Sequence, residues 1–103
     1  MRFRLIREAR ADLHELGVFF EGQRVGSAGR FGQEFHELMR RLLHLPQSFA
    51  RAGRSPAGRE IRVGFTAKLP AIIHYEVTAE EIVVISIAHA HRNRVPWRKR
   101  LGH

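Results

Sequence analysis

Apolar and polar positions alternate at the start of the chain and then take up a longer period. Phe3 and Leu5 alternate with Arg2 and Arg4, which predicts a short strand with one buried face. The residues that follow show helical spacing, with acidic side chains near the start, where they complement the helix dipole. The apolar stripe of this first predicted helix consists of Ala9, Leu13, Leu16 and Phe20.

A second helix is predicted after a break between Gly22 and Gly26. Ser27 is the expected N-cap, and Pro46 ends the helical pattern. Two amphipathic helices joined by so short a link are expected to form an antiparallel hairpin that packs against a sheet. The stripe of the second helix consists of Phe31, Phe35, Leu38, Leu42 and Leu45.

The second half of the chain predicts a basic loop followed by three strands. Residues 47–58 contain Gly, Pro and Arg without periodicity, which indicates a loop. The strands are predicted at 59–65, 71–77 and 82–90, with Glu60, Arg62 and Gly64 on the exposed face of the first. The last strand is apolar on both faces, which is typical of a strand inside a sheet. We therefore expect one α+β domain over residues 1–103, in the order β-α-α-β-β-β, with a helical hairpin on a mostly antiparallel four-stranded sheet.

Charge indicates an anionic partner. The chain has 18 Lys and Arg against 10 Asp and Glu, a formal net charge of +8. Sixteen of the basic residues are Arg, which favours bidentate contact with phosphate or carboxylate. There is no Cys, which excludes a disulfide framework and a thiolate metal site. No apolar run approaches the roughly 18 residues of a membrane span, so we expect a cytoplasmic protein.

The last fifteen residues form a basic C-terminal tail with five Arg or Lys, three His and Trp97, and no acidic residue. Such a segment suits phosphate contact and base stacking, and it suits an acidic protein partner equally well. We expect its cations to repel one another, so that the tail is mobile in the free protein and can be deleted without unfolding the domain. The alternative is that Trp97 packs back onto the domain.

The last strands and the tail also contain the residue types required for RNA cleavage, since His and Arg can supply an acid, a base and a cation for the developing charge. Surface His and Arg are common on a basic protein, so an exposed solvated face is the competing interpretation. His89 and His91 also permit a metal pair, but no third ligand is evident, and no cofactor motif is present. The expected exposed set is Arg59, Arg62, His74, Glu76, His89, His91, Arg92 and Trp97.

In their order and spacing, the motifs of the chain resemble the RelE/ParE superfamily of bacterial type II toxins, most closely the ParE-like, plasmid-stabilisation branch. The most specific motif is a His, a spacer and Arg92, followed by Pro96, Trp97 and Arg100. The other matching segments are Glu8–Leu13, Phe19–Glu21, Gly29–Phe35, Leu45–Pro46, Ile61–Arg62, Leu69–Tyr75 and Ile82–Ile87.

The resemblance implies a hetero-oligomer with a small antitoxin, whose acidic and partly disordered segment wraps and neutralises the toxin. The net charge of +8 suits such a partner. The resemblance also implies one of two cellular targets. ParE-like members inhibit DNA gyrase by binding it, and RelE-like members cleave mRNA in the ribosome.

Departures from the nuclease pattern favour the gyrase-directed, non-enzymatic interpretation. RelE-like nucleases carry an Arg just before the Tyr of the third strand, where this chain has His74 before Tyr75. If the chain were a nuclease, its catalytic residues would be Arg59, Arg62, His89, His91 and Arg92. A third interpretation is a degenerate toxin, which only binds its antitoxin and, in that complex, the operator DNA. The expected residues for target or antitoxin binding are Arg59, Arg62, His89, His91, Arg92, Arg94, Trp97, Arg98, Lys99 and Arg100.

Overall fold

A helical hairpin packs on a mixed sheet of five strands in a computed structural model that describes residues 1–91 and 97–102. The helices share one buried apolar cluster with the sheet. The elements in chain order are β1 (Arg2–Leu5), α1 (Arg7–Gln23), α2 (Ser27–His44), β2 (Ala50–Arg54), β3 (Glu60–Phe65), β4 (Ala71–Val77), β5 (Glu81–His89) and a C-terminal 3₁₀ helix (Trp97–Arg100).

The strands lie in the order β1-β5-β4-β3-β2. β1 is parallel to β5, and the other neighbouring pairs are antiparallel. β5 therefore lies between two strands, and its residues from Ile82 to Ala88 are buried, as its continuous apolar pattern predicts. The α+β class and the β-α-α start are confirmed.

The prediction of four strands was wrong, because β2 lies inside the segment interpreted as a loop. Ala50–Arg54 pairs with β3 along one side, and a bulge interrupts the register between Arg51 and Gly53. An edge strand that contains a bulge does not need an alternating apolar pattern, since it is held by pairing along one side and lies at the margin of the core. The local composition of small residues and Arg therefore concealed it.

The core stripe of α2 is confirmed in its first four positions. Phe31, Phe35, Leu38 and Leu42 are all buried, whereas Leu45 lies just past the end of α2 and is 57% exposed. The start of the helix differs from the prediction. Gly26, with φ of 90°, is the N-cap, and Ser27 is the buried first residue of the helix and makes no side-chain cap.

Glu21 takes over the capping role expected of Ser27. Its two carboxylate oxygens accept hydrogen bonds of 2.9 Å from the backbone N–H groups of Gly26 and Ala28. These bonds hold the pKa of Glu21 below its ordinary value, because they favour the charged form. A side chain from the end of α1 thus satisfies donors at the start of α2 and fixes the tight connection between the helices.

The face of β3 expected to be exposed is covered by α2. A Cβ added at Gly64 would lie 3.4 Å from Leu38 and 3.6 Å from Phe49, so the absence of a side chain lets the helix approach the sheet closely. Phe65, which was expected on the buried face, is 53% exposed. Burial along β3 therefore does not follow the alternation of its apolar and polar residues.

Candidate functional site: the docked C-terminal segment and the basic edge

The C-terminal 3₁₀ helix is docked on the sheet through Trp97. The indole of Trp97 stacks on the His74 ring with 4.9 Å between centroids and 17° between planes. Nδ1 of that imidazole lies 3.2 Å from the Ser86 hydroxyl oxygen on the neighbouring strand. On β2, Trp97 lies only 3.5 Å from the place where a Cβ of Gly53 would stand. Trp97 therefore contacts two strands at once.

Arg100 anchors the other end of the docked helix. Its guanidinium forms an ion pair with Asp12 of α1, at 2.6 Å between Nη1 and Oδ2, and donates a 3.0 Å hydrogen bond to the Ile85 carbonyl. The same Asp12 oxygen accepts a 3.0 Å bond from the Ile87 N–H. β1 ends opposite Val84, so these two side chains satisfy backbone groups on the part of β5 that β1 does not reach.

The expectation of a mobile tail is wrong for Trp97–Arg100, and the alternative of a tail that packs back onto the domain is observed. Repulsion among the cations of the tail is offset by a carboxylate outside the tail. Asp12, far away in the sequence, neutralises Arg100. Arg92 and Arg94, which were also expected in the binding surface, lie outside the described residues.

Arg98 and Lys99 face the solvent on the docked helix. The Arg98 guanidinium lies over the Trp97 indole, 4.4 Å from the ring centroid, an arrangement in which the ring stabilises the cation. Lys99 is exposed. The two anchors therefore hold two adjacent cations in a fixed position on the surface, where they can contact an anionic partner.

Arg62 of β3 is less accessible than expected. Arg62 is part-buried, lies 2.8 Å from the Glu60 carboxylate, and donates a hydrogen bond to the Phe49 carbonyl. The Arg62 guanidinium holds the pKa of Glu60 below its ordinary value. Arg59, just before β3, is exposed and lies 3.5 Å from Glu76. Glu76 itself is only 2% exposed, so Arg62 and Glu76 do not belong to an exposed face.

The two histidines at the end of β5 have different environments. His89 contacts the rings of Phe19 and Phe20 in α1, with centroid distances of 5.5 and 5.6 Å. His91 lies in the following turn, exposed, and its backbone N–H donates to His89 Nδ1 at 3.1 Å. His89 therefore contributes to packing, and His91 is the more accessible of the two.

Tyr75 is a core residue in this chain. Its ring is fully buried, and its hydroxyl donates a 3.0 Å hydrogen bond to the Pro46 carbonyl. Burial raises the pKa of Tyr75 to about 12, since the phenolate would lose its hydration. Tyr75 therefore stays protonated at neutral pH and serves to tie the end of α2 to the sheet.

An apolar groove in the helical hairpin was not predicted from the sequence. Its volume is about 580 Å³, and it opens between α1, α2 and β1. Gly17 and Gly32, one in each helix, widen it, and glycine inside an amphipathic helix is the signal that would have pointed to it. Such a groove fits apolar side chains of a protein partner. Its apolar lining includes Phe3, Leu5, Leu13, Val18, Ala28, Phe31 and Phe35.

Asp12, Arg51 and Arg54 are the polar residues of the site that were missed. Asp12 was interpreted as part of the acidic start of α1, and no local pattern connects it to Arg100. Arg51 and Arg54 lie on β2 and were assigned to a loop. The described residues contain no group of three or more His, Cys, Asp and Glu side chains placed to hold a metal ion. No helix in this part of the chain has both the length and the apolar character that a membrane crossing requires.

Comparison with known proteins identifies the family. A family model described as "ParE toxin of type II toxin-antitoxin system, parDE" matches residues 3–94. A solved structure described as the chromosomal ParDE toxin–antitoxin system from P. aeruginosa has a TM-score of 0.69 and 21% sequence identity, over 86% of this chain and 95% of that one, which shows a shared fold. No curated protein matches. Because the family model covers most of the chain, this protein belongs to the ParE toxin family of type II toxin–antitoxin systems.

Proposed function

We propose that this protein arrests growth by binding and inhibiting DNA gyrase, without catalysis, and that a small acidic antitoxin neutralises it. Membership of the ParE toxin family implies a cognate antitoxin. The formal charge of +8 suits an acidic partner, since opposite charges steer the two proteins together. Gyrase is the target that the resemblance to ParE-like toxins implies.

The non-enzymatic proposal rests on one observation. Residues that a nuclease would use contact different partners within the protein itself. Arg62 is part-buried between Glu60 and a backbone carbonyl, and Arg59 lies 3.5 Å from the Glu76 carboxylate. His89 packs against two Phe rings. General acid–base catalysis needs side chains that can reach the reacting atoms together, and these contacts favour structural roles.

The proposed contact surface for the target is the docked 3₁₀ helix, where Arg98 and Lys99 are presented beside Trp97. Interfaces commonly combine an aromatic anchor with Arg. The anchoring of this helix at both ends lowers the entropy lost on binding, because its cations are already held in place.

The test adds the purified protein to a gyrase supercoiling assay and, in parallel, to a translating extract whose mRNA is analysed by primer extension. We expect inhibition of supercoiling and intact mRNA. The variant Arg98→Glu/Lys99→Glu should lose inhibition by roughly tenfold or more, equal to about 1.4 kcal/mol of binding free energy. Arg24→Glu/Arg30→Glu is the matched control, because it changes the net charge equally at exposed positions in and beside the helical hairpin.

Three outcomes contradict parts of the proposal. Cleaved mRNA together with unaffected supercoiling would identify a ribosome-dependent nuclease. No effect in either assay, with antitoxin binding retained, would identify a degenerate toxin. Equal loss in both charge variants would show that total charge, rather than the docked helix, governs inhibition.

A further inference from the structure

Positive charge is concentrated where the docked 3₁₀ helix meets β2. Residues 50–62 and 97–102 contain seven Arg or Lys and a single acidic residue, Glu60. Two carboxylates from elsewhere in the chain, Asp12 and Glu76, also lie within ion-pair distance of these cations. Seven cations and three carboxylates leave a surplus of four charges, which is half of the formal net charge of +8.

The exposed cations lie on both faces of β2, which stands at the end of the strand order. Arg51 and Arg54 pair with β3 residues that are two positions apart, so they share one face, and Gly53 belongs to the opposite face. The Arg98 guanidinium covers that opposite face, with Nη1 3.6 Å from the place where a Cβ of Gly53 would stand. Four exposed residues form what we call the basic ridge: Arg51, Arg54, Arg98 and Lys99.

Two guanidinium groups of the basic ridge are held in place from within the protein. Arg54 donates a 2.8 Å hydrogen bond to the Gly58 carbonyl in the turn after β2, and Arg98 lies over the Trp97 ring. A guanidinium has five N–H donors, so one internal hydrogen bond leaves Arg54 able to bind an anion. Cations that are already positioned lose less conformational entropy when a partner binds.

Trp97 is not available to stack on an unpaired base. The His74 ring is stacked 4.9 Å from the indole, and the Arg98 guanidinium lies 4.4 Å from its centroid, so these two groups occupy its faces. Proteins that bind single-stranded nucleic acid commonly offer aromatic faces to successive bases. The basic ridge therefore suits a duplex, whose bases are already stacked on one another, better than a single strand.

The composition of the basic ridge favours nucleic acid over protein as its partner. Protein interfaces have an apolar centre, whereas protein–DNA interfaces are more polar and much more positively charged. None of the exposed large apolar side chains of the described residues lies in 50–62 or 97–102. They are Met1, Val18, Val25, Leu45 and Phe65.

We propose that the basic ridge binds the phosphate backbone of duplex DNA, independently of base sequence. Phosphate contacts fix the position of a protein on DNA and carry no sequence information. Residues 50–59 and 97–102 contain no Asn, Gln, Asp or Glu, which are side chains that read base edges. The inference rests on the proposed function in one respect, because gyrase, the target assigned to the same docked helix, acts on duplex DNA.

The test titrates a fluorescein-labelled duplex of about 20 base pairs with the purified full chain and follows fluorescence anisotropy at several KCl concentrations. Four phosphate contacts predict a slope of about −3.6 for the logarithm of affinity against the logarithm of salt concentration, which is roughly a hundredfold loss between about 50 and 200 mM. Two duplexes of unrelated sequence should bind alike, and the single strand should bind more weakly.

The variant Arg54→Gln/Arg98→Gln should reduce the steepness of the salt dependence by about 2, because each phosphate contact contributes about 0.9. The matched control Arg24→Gln/Arg30→Gln removes the same charge at exposed positions and should leave the slope unchanged. Circular dichroism checks that each variant folds, and Arg51→Gln/Lys99→Gln repeats the test if the first variant does not. Equal slopes in the ridge variant and the control would overturn the proposal.

A poly-glutamate peptide that carries the same charge as the duplex distinguishes DNA from an acidic protein. We expect the peptide to bind more weakly, because duplex DNA has the higher density of charge along its axis. Tighter binding of the peptide would overturn the proposal and assign the basic ridge to an acidic protein. A preference for the single strand or for one duplex sequence would also contradict it.

The binding assay contains no gyrase, so the two proposals can fail separately. Inhibition of supercoiling by a protein that does not bind the duplex would overturn the DNA contact and leave the proposed function standing. Binding to the duplex, with an inhibition that extra plasmid abolishes at a fixed amount of gyrase, would support the DNA contact and overturn direct inhibition of the enzyme.

Discussion

Arg100 and Asp12 stand 88 positions apart in the chain and form a two-point ion pair, with 2.6 Å between Nη1 and Oδ2 and 3.2 Å between Nη2 and Oδ1. The pair is mostly shielded from solvent, with side-chain exposures of 18% and 10%. It joins the end of the chain to α1 and to the part of β5 that β1 does not reach. The C-terminal segment is thus a structural part of the domain.

Breaking this pair should destabilise the protein. Arg100→Ala leaves Asp12 without its cation and the Ile85 carbonyl without its donor, so we expect a loss of about 2–4 kcal/mol in the free energy of unfolding. Lys99→Ala, at the adjacent exposed position, is the control and should change it by less than about 0.5 kcal/mol. Urea unfolding measures both, and equal stability of the two variants would contradict the anchoring role.

Removal of residues 97–103 should lower the melting temperature well below that of the parent. The truncation exposes the surfaces of His74 and Gly53 that Trp97 covers, and it removes the Asp12 contact. Circular dichroism followed during heating gives the result. A truncated protein that melts like the parent would restore the interpretation of a dispensable tail.

Leu38→Ala should cost about 2–5 kcal/mol, because Leu38 is buried between α2 and the sheet and packs over Gly64. Val25→Ala is the matched control, since Val25 is 91% exposed. Thermal and urea unfolding of the two variants provide the comparison. If Leu38→Ala were as stable as the parent, the helix would not pack closely against the sheet at this position.

Glu21 should make stability depend on pH in the acid range. Its pKa in the folded protein is lower than the ordinary value of 4.5. The charged carboxylate therefore contributes its full stabilisation when the pH is above 4.5. That contribution is lost as the pH falls through the lowered pKa. The difference in melting temperature between the parent and Glu21→Gln should therefore be largest at neutral pH and shrink toward pH 3. Glu15→Gln, at an exposed position of α1, should show no such trend.

His91→Ala should leave growth arrest nearly intact if the protein acts by binding. His91 is exposed and contacts the His89 ring in an edge-on arrangement, so the variant tests proton transfer with little change in the buried core. His89→Ala is a less specific test of proton transfer, because the His89 ring packs against Phe19 and Phe20 and its loss should also lower stability. Induced expression with growth curves gives the measurement. A loss of activity of about a hundredfold or more in a folded His91→Ala protein would support acid–base catalysis.

The amino-acid pattern by itself determined both helices, β1 and the strands from β3 to β5, because each buries a regular stripe or run of apolar side chains. It also led to the expectation of an anionic partner, because net charge follows from composition alone. The family resemblance rested on the order of these elements and on the motif near Trp97, and the family match confirms it.

Only the tertiary structure decided what the polar residues do. β2 is stabilised by pairing with β3 rather than by a pattern of its own. Asp12 binds Arg100, and Glu21 caps α2, through contacts that depend on where the chain folds back. A polar side chain takes its role from the partner that folding brings to it, whereas an apolar side chain takes its role from burial, which periodicity already encodes.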